Sequence, residues 1–356
     1  MTQPVPSRDS ETPRLSKTTL QDVARDAGVS AMTVSRVVNE QPGVKPSTRR
    51  HVEGVIKRLG YRPNIVARGL KASHSNTLGL LVPDVTNPYF PSLVRGAEDV
   101  AFEAGYTLLL HNVIEDRERE AAALTMFEER RVDGVIVCSP RLPEDRLYDH
   151  LARHASAVVV NRRAPADLAG SVRVDHEVGA RLAARHLLDH GHQTIAVLAG
   201  PKESSAGVER LEGIRAELGL DGLEIPGERI VSCPPTMEGG AAAARDLLER
   251  VPNVDAVLCF NDLVATGTLL TARQKGLSVP YDLSVVGYDD IAYARMFSPA
   301  LTTLRVPTYD IGAHAMRMLL SRMNGEQRTI SIVVQPELII RESTRMRPSS
   351  TLLPTS

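Results

Sequence analysis

The stretch AGVSAMTVSRVVN, from Ala27 to Asn39, decides how the first sixty residues fold. Val34, Val37 and Val38 recur at helical spacing, so one side of the segment is apolar. Gly28 permits a sharp turn ahead of it, and Ser30 stands where a hydroxyl can accept from an orphan amide at a helix start. The opposite side carries Ala31, Met32, Thr33, Ser35 and Arg36, a face of small groups, a thioether, two hydroxyls and one permanent charge. Upstream, the pattern predicts a first helix over Leu20 to Ala27, opened by Thr19 with Asp22 three residues on. Downstream it predicts a third helix over Thr48 to Leu59, capped by Ser47, with Val52, Val55, Ile56 and Leu59 on one face. A core this small is marginal alone, so the unit is expected to be tied to something larger.

Two short helices joined by about three residues of turn make a helix-turn-helix, whose second helix can enter the major groove. Val23, Ala24, Ala27, Val29, Val34 and Val37 then face inward. Arg36 suits a guanine edge or a phosphate, Thr33 and Ser35 offer hydroxyls, and Ala31 and Met32 suit a thymine methyl. A plain helical hairpin with a solvated polar face is the alternative. Charge weighs against it: from Lys17 to Ser73 there are 11 Lys and Arg against 4 Asp and Glu, a surplus of +7 in a chain of net charge −1. One short basic segment is joined to an acidic body, which implies that the segment alone meets a polyanion.

The remainder reads as a different class of fold. The chain has 356 residues, 42% of them hydrophobic but only 4% aromatic, with no Trp, so its cores are built from Val, Leu, Ile and Ala. Such cores suit parallel α/β sheets. From Thr77 onward, the strand-length runs LGLLV, TLLLH, GVIVC, AVVVN, TIAVLAG, AVLCF and SVVGY alternate with helix-length patterns. The helical patterns include Phe90 to Gly105, Glu118 to Arg131, His176 to His190, Ala206 to Leu218, Glu238 to Arg250 and Leu263 to Lys275. This alternation predicts two doubly wound parallel-sheet subdomains in series, with a ligand at the carboxyl ends of the strands where the subdomains face each other. Residues 1–16 are polar and read as disordered.

Other function classes find little support. There is no P-loop, no G-x-G-x-x-G after a strand, no G-x-S-x-G elbow and no H-E-x-x-H, so no catalytic residue and no enzymatic activity is expected. Cys138, Cys233 and Cys259 are far apart and odd in number, Cys138 and Cys259 lie in apolar, strand-like runs as buried thiols do, and His190 and His192 flank a glycine at a helix end, where capping explains them better than a metal. No metal or cofactor is expected. The N-terminus lacks an apolar signal region, and no run of about 18 apolar residues follows, so the expected location is the cytoplasm, on the nucleoid when DNA is bound, with no membrane partner.

The stretches TLQDVARDAGVSAMTVSRVVN and VKPSTRRHVEGVIKRLGYRPNIVARGLK resemble the DNA-binding headpiece of the lactose repressor/galactose repressor (LacI/GalR) family. In the same order, DGVIV, LLDHGHQTIAVLAGP, ERLEG, FNDLVATG, VVGYDD and SPALTTLR resemble that family's effector-binding core. The resemblance spans about Thr18 to Arg341. It implies an all-α headpiece on an α/β core of periplasmic-binding-protein type. It also implies a division into headpiece 17–62, hinge and linker 63–74, core 75–345 and flexible tail 346–356. Within the core, an N-subdomain would take about 75–174 and 308–335, and a C-subdomain about 175–307 and 336–345.

For DNA, the resemblance implies that Leu20 and Gln21 start a helix near the phosphates. Ser30, Ala31, Met32, Thr33, Ser35 and Arg36 form the reading face, and Asn39 contacts the backbone. Ala31 and Met32 match the two positions that set operator preference, and Met32 is similar to the gluconate-operon repressors of the family. The segment Asn64 to Lys71 resembles a hinge helix that folds on DNA, with Leu70 as a minor-groove wedge, Ala67 close to the groove, and Arg68 and Lys71 on phosphates. Read without the family, the same eight residues are compatible with a linker helix docked on the core.

For the effector, Tyr89 and Phe90 match a ring-stacking pair, or are an exposed aromatic pair serving as a core lid. Arg210 matches the family's effector-clamping arginine, whose planar fork suits hydroxyls or a carboxylate. Asn161, Arg162, Asp175, Asn261 and Asp289 stand at strand ends where relatives hold sugar hydroxyls. The adjacent Arg162 and Arg163 fit either an anionic effector or local acids. Two departures mark the chain: the ring-stacking aromatic of several relatives falls on Pro234 or Pro235, and a glutamine of the lactose repressor falls on Val306. A lactose-like effector is therefore not expected. The function implied is a homodimeric regulator, a repressor, on a near-palindromic operator, controlled by a sugar, sugar acid or sugar phosphate. The rival is a periplasmic-type sugar-binding protein.

Overall fold

A computed structural model describes residues 18–61, 74–326 and 331–347. The chain divides into two compact units, Met1–Ser73 and His74–Ser356.

The first unit holds α1 (Leu20–Asp26), α2 (Ala31–Val38) and α3 (Pro46–Leu59). The start of α1 is the reciprocal cap that the sequence predicts: the Thr19 hydroxyl accepts from the Asp22 amide at 3.2 Å, and the Asp22 carboxylate accepts from the Thr19 amide at 2.9 Å. The Thr19 hydroxyl, which also donates to the Asp22 carboxylate at 2.6 Å, and then the Thr19 amide hold the Asp22 carboxyl below its ordinary range. Gly28, at φ +62°, turns the chain, and Ser30 caps α2 by accepting from the Thr33 amide at 3.1 Å. Val34 and Val37 then meet Val23, Ala24 and Ala27 of the α1 segment and Val52 and Val55 of α3. The start of α3 corrects the expectation. Pro46 occupies the first turn, Lys45 precedes it without a side-chain cap, and Ser47 lies inside the helix. Proline's fixed φ and missing donor suit the first turn, so the hydroxyl cap is not needed.

The second unit is α/β. Its larger sheet contains β1 (Thr77–Val82), β2 (Thr107–Asn112), β3 (Gly134–Cys138), β4 (Ala157–Val160), β5 (Gly170–Val174) and β11 (Ser331–Val334). Their order is β11-β5-β4-β3-β1-β2, with every pair parallel. The smaller parallel sheet has β6 (Ile195–Ala199), β7 (Ile230–Ser232), β8 (Ala256–Cys259) and β9 (Ser284–Val286), in the order β7-β6-β8-β9. A third sheet pairs β10 (Thr303–Arg305) antiparallel with β12 (Glu337–Ile339) where the chain passes between the other two.

The helices of this unit are α4 (Tyr89–Glu103), α5 (Arg117–Glu129), α6 (Glu144–Leu151), α7 (His176–Asp189), α8 (Ser205–Leu220), α9 (Met237–Arg250), α10 (Asp262–Gln274) and α11 (Thr308–Met323). Glycines set how closely some of them pack. A Cβ on Gly312 of α11 would stand 1.9 Å from the Leu93 carbonyl oxygen of α4, and one on Gly96 of α4 would stand 2.0 Å from the Tyr309 carbonyl of α11. The two backbones therefore touch directly, and no side chain fits between them. All three cysteines are buried and free, and among the described residues no cluster of His, Cys, Asp and Glu could hold a metal. No described helix is long and apolar enough to cross a membrane.

Candidate functional site

The reading face of α2 stands away from its buried valines. Ala31, Met32 and Arg36 are exposed, Met32 to 67% of its surface, while Thr33 and Ser35 are half-buried. The two ion pairs of the described headpiece residues, Arg25 with Asp22 and Arg58 with Asp26, lie elsewhere. Arg49 fixes the far end of α2 by donating to the Val37 carbonyl at 3.2 Å and the Gln41 carbonyl at 2.8 Å. Gln21 is exposed, whereas Leu20 is half-buried against the headpiece core. Asn39 is exposed, with its amide donating to the Ser35 carbonyl at 2.8 Å. Asn64, Ala67, Arg68, Leu70 and Lys71 lie outside the described residues.

In the second unit, several of the expected effector residues meet. The Asn161 amide nitrogen donates to the Tyr89 hydroxyl at 3.0 Å and to the Ser139 hydroxyl at 3.1 Å, tying the start of α4 to the ends of β3 and β4. Asn161 and Ser139 both have positive φ, +60° and +47°, and Asp289 after β9 has φ +114°. Strained backbone held at strand ends is a pointer to function. From the smaller sheet, Arg210 donates to the Phe260 carbonyl, lies 3.8 Å from the Asp289 carboxylate, and stacks with its guanidinium carbon 3.5 Å from the Tyr288 ring centre. The Tyr89 phenol feels both Asp289 and Arg210, so the two groups of residues face each other.

Burial dominates the electrostatics. Asp289 is only 7% exposed, and desolvation raises its carboxyl to about 7 despite the opposing pull of Arg210. Asp262 is wholly buried and raised well above the carboxylate range for the same reason, although Thr303 and the Ile291 amide donate to it at 2.6 and 2.8 Å. Beside Arg210, Phe260 and Tyr288 lies a small cavity of about 30 Å³, lined also by Leu211 and Ile214.

Four expected residues have other commitments. Phe90 is not exposed: like Tyr89 it is 5% accessible, with the two rings edge to face at 5.0 Å, because both sit at the packed start of α4. Arg162 donates to the Leu142 carbonyl at 2.6 Å and lies 3.8 Å from Glu144, the local engagement left open as an alternative to an anionic effector. Asp175 caps α7 through the Val178 amide at 3.1 Å and accepts from Gln335 at 3.1 Å. Asn261 caps α10 through the Val264 amide at 2.9 Å and donates to the Pro235 carbonyl at 3.2 Å. The sequence reading did not single out Ser139, His176, Tyr288 or Phe260 as site residues. His176 and Tyr288 each adjoin a selected aspartate, and that adjacency at a strand end was the available signal.

A helix-turn-helix unit and a two-lobed α/β core on one chain define the class: DNA-binding regulators with a ligand-binding core. Known proteins agree. The model of bacterial regulatory proteins of the lacI family matches residues 19–64, and that of periplasmic binding proteins and the sugar binding domain of the LacI family matches residues 75–342. Catabolite control protein A of Priestia megaterium is 37% identical over 329 residues, covering 92% of this chain and 99% of that protein. The HTH-type transcriptional repressor PurR of Klebsiella pneumoniae (strain 342) is also 37% identical over 329 residues, 91% of this chain and 96% of its own. Among solved structures, the lac repressor dimer bound to operator and the anti-inducer ONPF superposes with a TM-score of 0.82 at 29% identity, over 92% of this chain and 99% of that one. The complex of the transcriptional regulator CelR with cellobiose gives 0.70 at 33% identity, with the same coverage. The chain belongs to the LacI family of bacterial transcriptional regulators. The rival reading as a periplasmic-type binding protein does not account for the headpiece.

Proposed function

We propose that the protein is a repressor that acts on DNA in the cytoplasm as a homodimer, one headpiece on each half of a near-palindromic operator, and that a small carbohydrate-type effector controls it. The observation that carries the DNA reading is the capped helix α2, which buries Val34 and Val37 and leaves Ala31, Met32 and Arg36 open. In this reading Ala31 and Met32 select bases, Thr33, Ser35 and Arg36 add polar and charged contacts, and Ser30, Gln21, Leu20 and Asn39 fix the helix against the backbone. The proposed division is headpiece 17–62, hinge 63–74 and core 75–345. Leu70 is the proposed hinge wedge, flanked by Asn64, Ala67, Arg68 and Lys71.

Effector binding is assigned to Tyr89, Asn161, Arg210 and Asp289, with Phe90, Arg162, Asp175 and Asn261 supporting their strand ends. Relatives whose structures carry cellobiose and ribose support a sugar as the ligand class. An effector that bridges the two groups of cleft residues favours the lobe angle at which both can reach it. Only such differential affinity can shift operator binding, typically by about 1–3 kcal/mol. The test is selection of duplexes from a random pool by the full-length protein, followed by salt titration. The expected outcome is a site of two half-sites related by a dyad, with affinity falling steeply as salt rises. Failure to retain any duplex at low salt would sink the proposal.

A further inference from the structure

His176 opens α7 and is 1% exposed. Its Nδ1 faces three groups: Nε and one terminal nitrogen of Arg210, each at 3.4 Å, and the Tyr288 hydroxyl at 3.2 Å. A guanidinium can only donate, so Nδ1 is an acceptor and the ring's single proton sits on Nε2. Burial and the charge of Arg210 hold the imidazole well below its ordinary pKa, which keeps it neutral. The Nε2–H is fully buried and has no hydrogen-bond partner among the described residues. Burying a donor without a partner is costly, and an acceptor on a bound ligand would satisfy it.

The facing lobe has its counterpart. The Asn161 amide meets Tyr89 and Ser139 through one polar atom, and the other is buried without a partner. Whichever way that amide is turned, a hydroxyl satisfies the orphan, because a hydroxyl both donates and accepts. Charge narrows the choice further. Arg210 already has Asp289 beside it, and Arg162 is held by Leu142 and Glu144. Neither of these two arginines is left without an acid to call for a carboxylate or phosphate.

We propose that His176 is a specificity-determining residue of the effector site, donating its Nε2–H to a hydroxyl oxygen of a neutral sugar that Asn161 holds from the other lobe. This rests on the carbohydrate-effector reading above.

The test is calorimetric titration of the full-length protein with glucose, ribose and cellobiose, and with gluconate and glucose 6-phosphate as anionic counterparts. A neutral sugar should bind, with the anions at least about tenfold weaker. His176→Leu should weaken the neutral sugar about tenfold or more, while His176→Gln, whose amide N–H can stand near the Nε2 position, should stay within about threefold. Deoxy analogues of the bound sugar separate contact from mere positioning of Arg210. The analogue lacking the His176-bonded hydroxyl should bind the wild type weakly and lose nothing more in His176→Leu, whereas additive losses for every analogue overturn the contact. If His176→Leu does not melt cooperatively, His176→Gln with the analogues decides alone: an Nε2 contact survives the swap within about threefold, and a larger loss overturns it. Wild-type affinity for a neutral sugar that His176→Leu leaves intact removes His176 but keeps the effector reading. Tighter binding of an anion overturns the neutral-sugar assignment, and no binding of any probe removes both readings.

Discussion

The headpiece and the core spend their polar groups in opposite ways. On α2, Ala31, Met32 and Arg36 point outward, while capping is left to Ser30 and Arg49. In the cleft, almost every polar side chain already has a neighbour: Asn161 with Tyr89 and Ser139, Arg210 with His176, Tyr288 and Asp289. A surface meant for a rigid, highly charged partner can be left open to water, which costs its polar groups nothing. A site that closes over a small molecule has its groups buried, and they bond one another when nothing else is there. The lesson is that substitutions in the headpiece face should alter binding without altering stability, whereas substitutions in the core should alter both.

The largest expected effect tests the core side. Gly312→Leu forces a side chain against the Leu93 carbonyl, and relief requires α4 and α11 to separate, so we expect a loss of about 3 kcal/mol or more and a melting temperature lower by several degrees. An unchanged calorimetric melt would show that the helices do not touch as described. Next is Arg36→Ala, expected to weaken operator binding by about 1–3 kcal/mol with no change in melting. Equal loss of stability would break the contrast between the two regions.

The smallest effect concerns Asp289. Its folded pKa of about 7 lies above the unfolded value of 3.8, so the folded state holds the proton longer and stability falls as pH rises towards and through 7. Between pH 6 and pH 7 this single group should remove about 1 kcal/mol, a slope absent from Asp289→Asn. Parallel pH profiles of denaturant unfolding for the two proteins would refute the raised pKa.

The same contrast explains what was legible in the sequence. Thr19, Ser30, Gly28 and the valines of α2 act on residues a few positions away, so local spacing contains the whole headpiece pattern apart from the start of α3. In the core, the seven apolar runs all fall on strands, including TLLLH, which becomes the half-exposed edge strand β2. Not among those runs was β5, GSVRV, whose Ser171 and Arg173 interrupt its apolar character, nor the three-residue strands β7, β10 and β12, too short to show a period. The cleft was legible residue by residue through the family resemblance, but its connections were not. Asn161 and Tyr89 are 72 positions apart, and His176 and Tyr288 are 112 apart. No local pattern records which strand-end groups would bond to one another.

Asp175 gives the core a mechanical property. Its backbone amide donates to the Val334 carbonyl at 2.9 Å and its carboxylate holds Gln335, while β10 and β12 are bonded side by side. The three passages of the chain between the sheets are thus laced into a single ribbon. Moving the lobes apart would break these bonds, whereas a rotation about the ribbon can keep them, so an angle between the lobes is the change that a molecule caught in the cleft can impose at least cost.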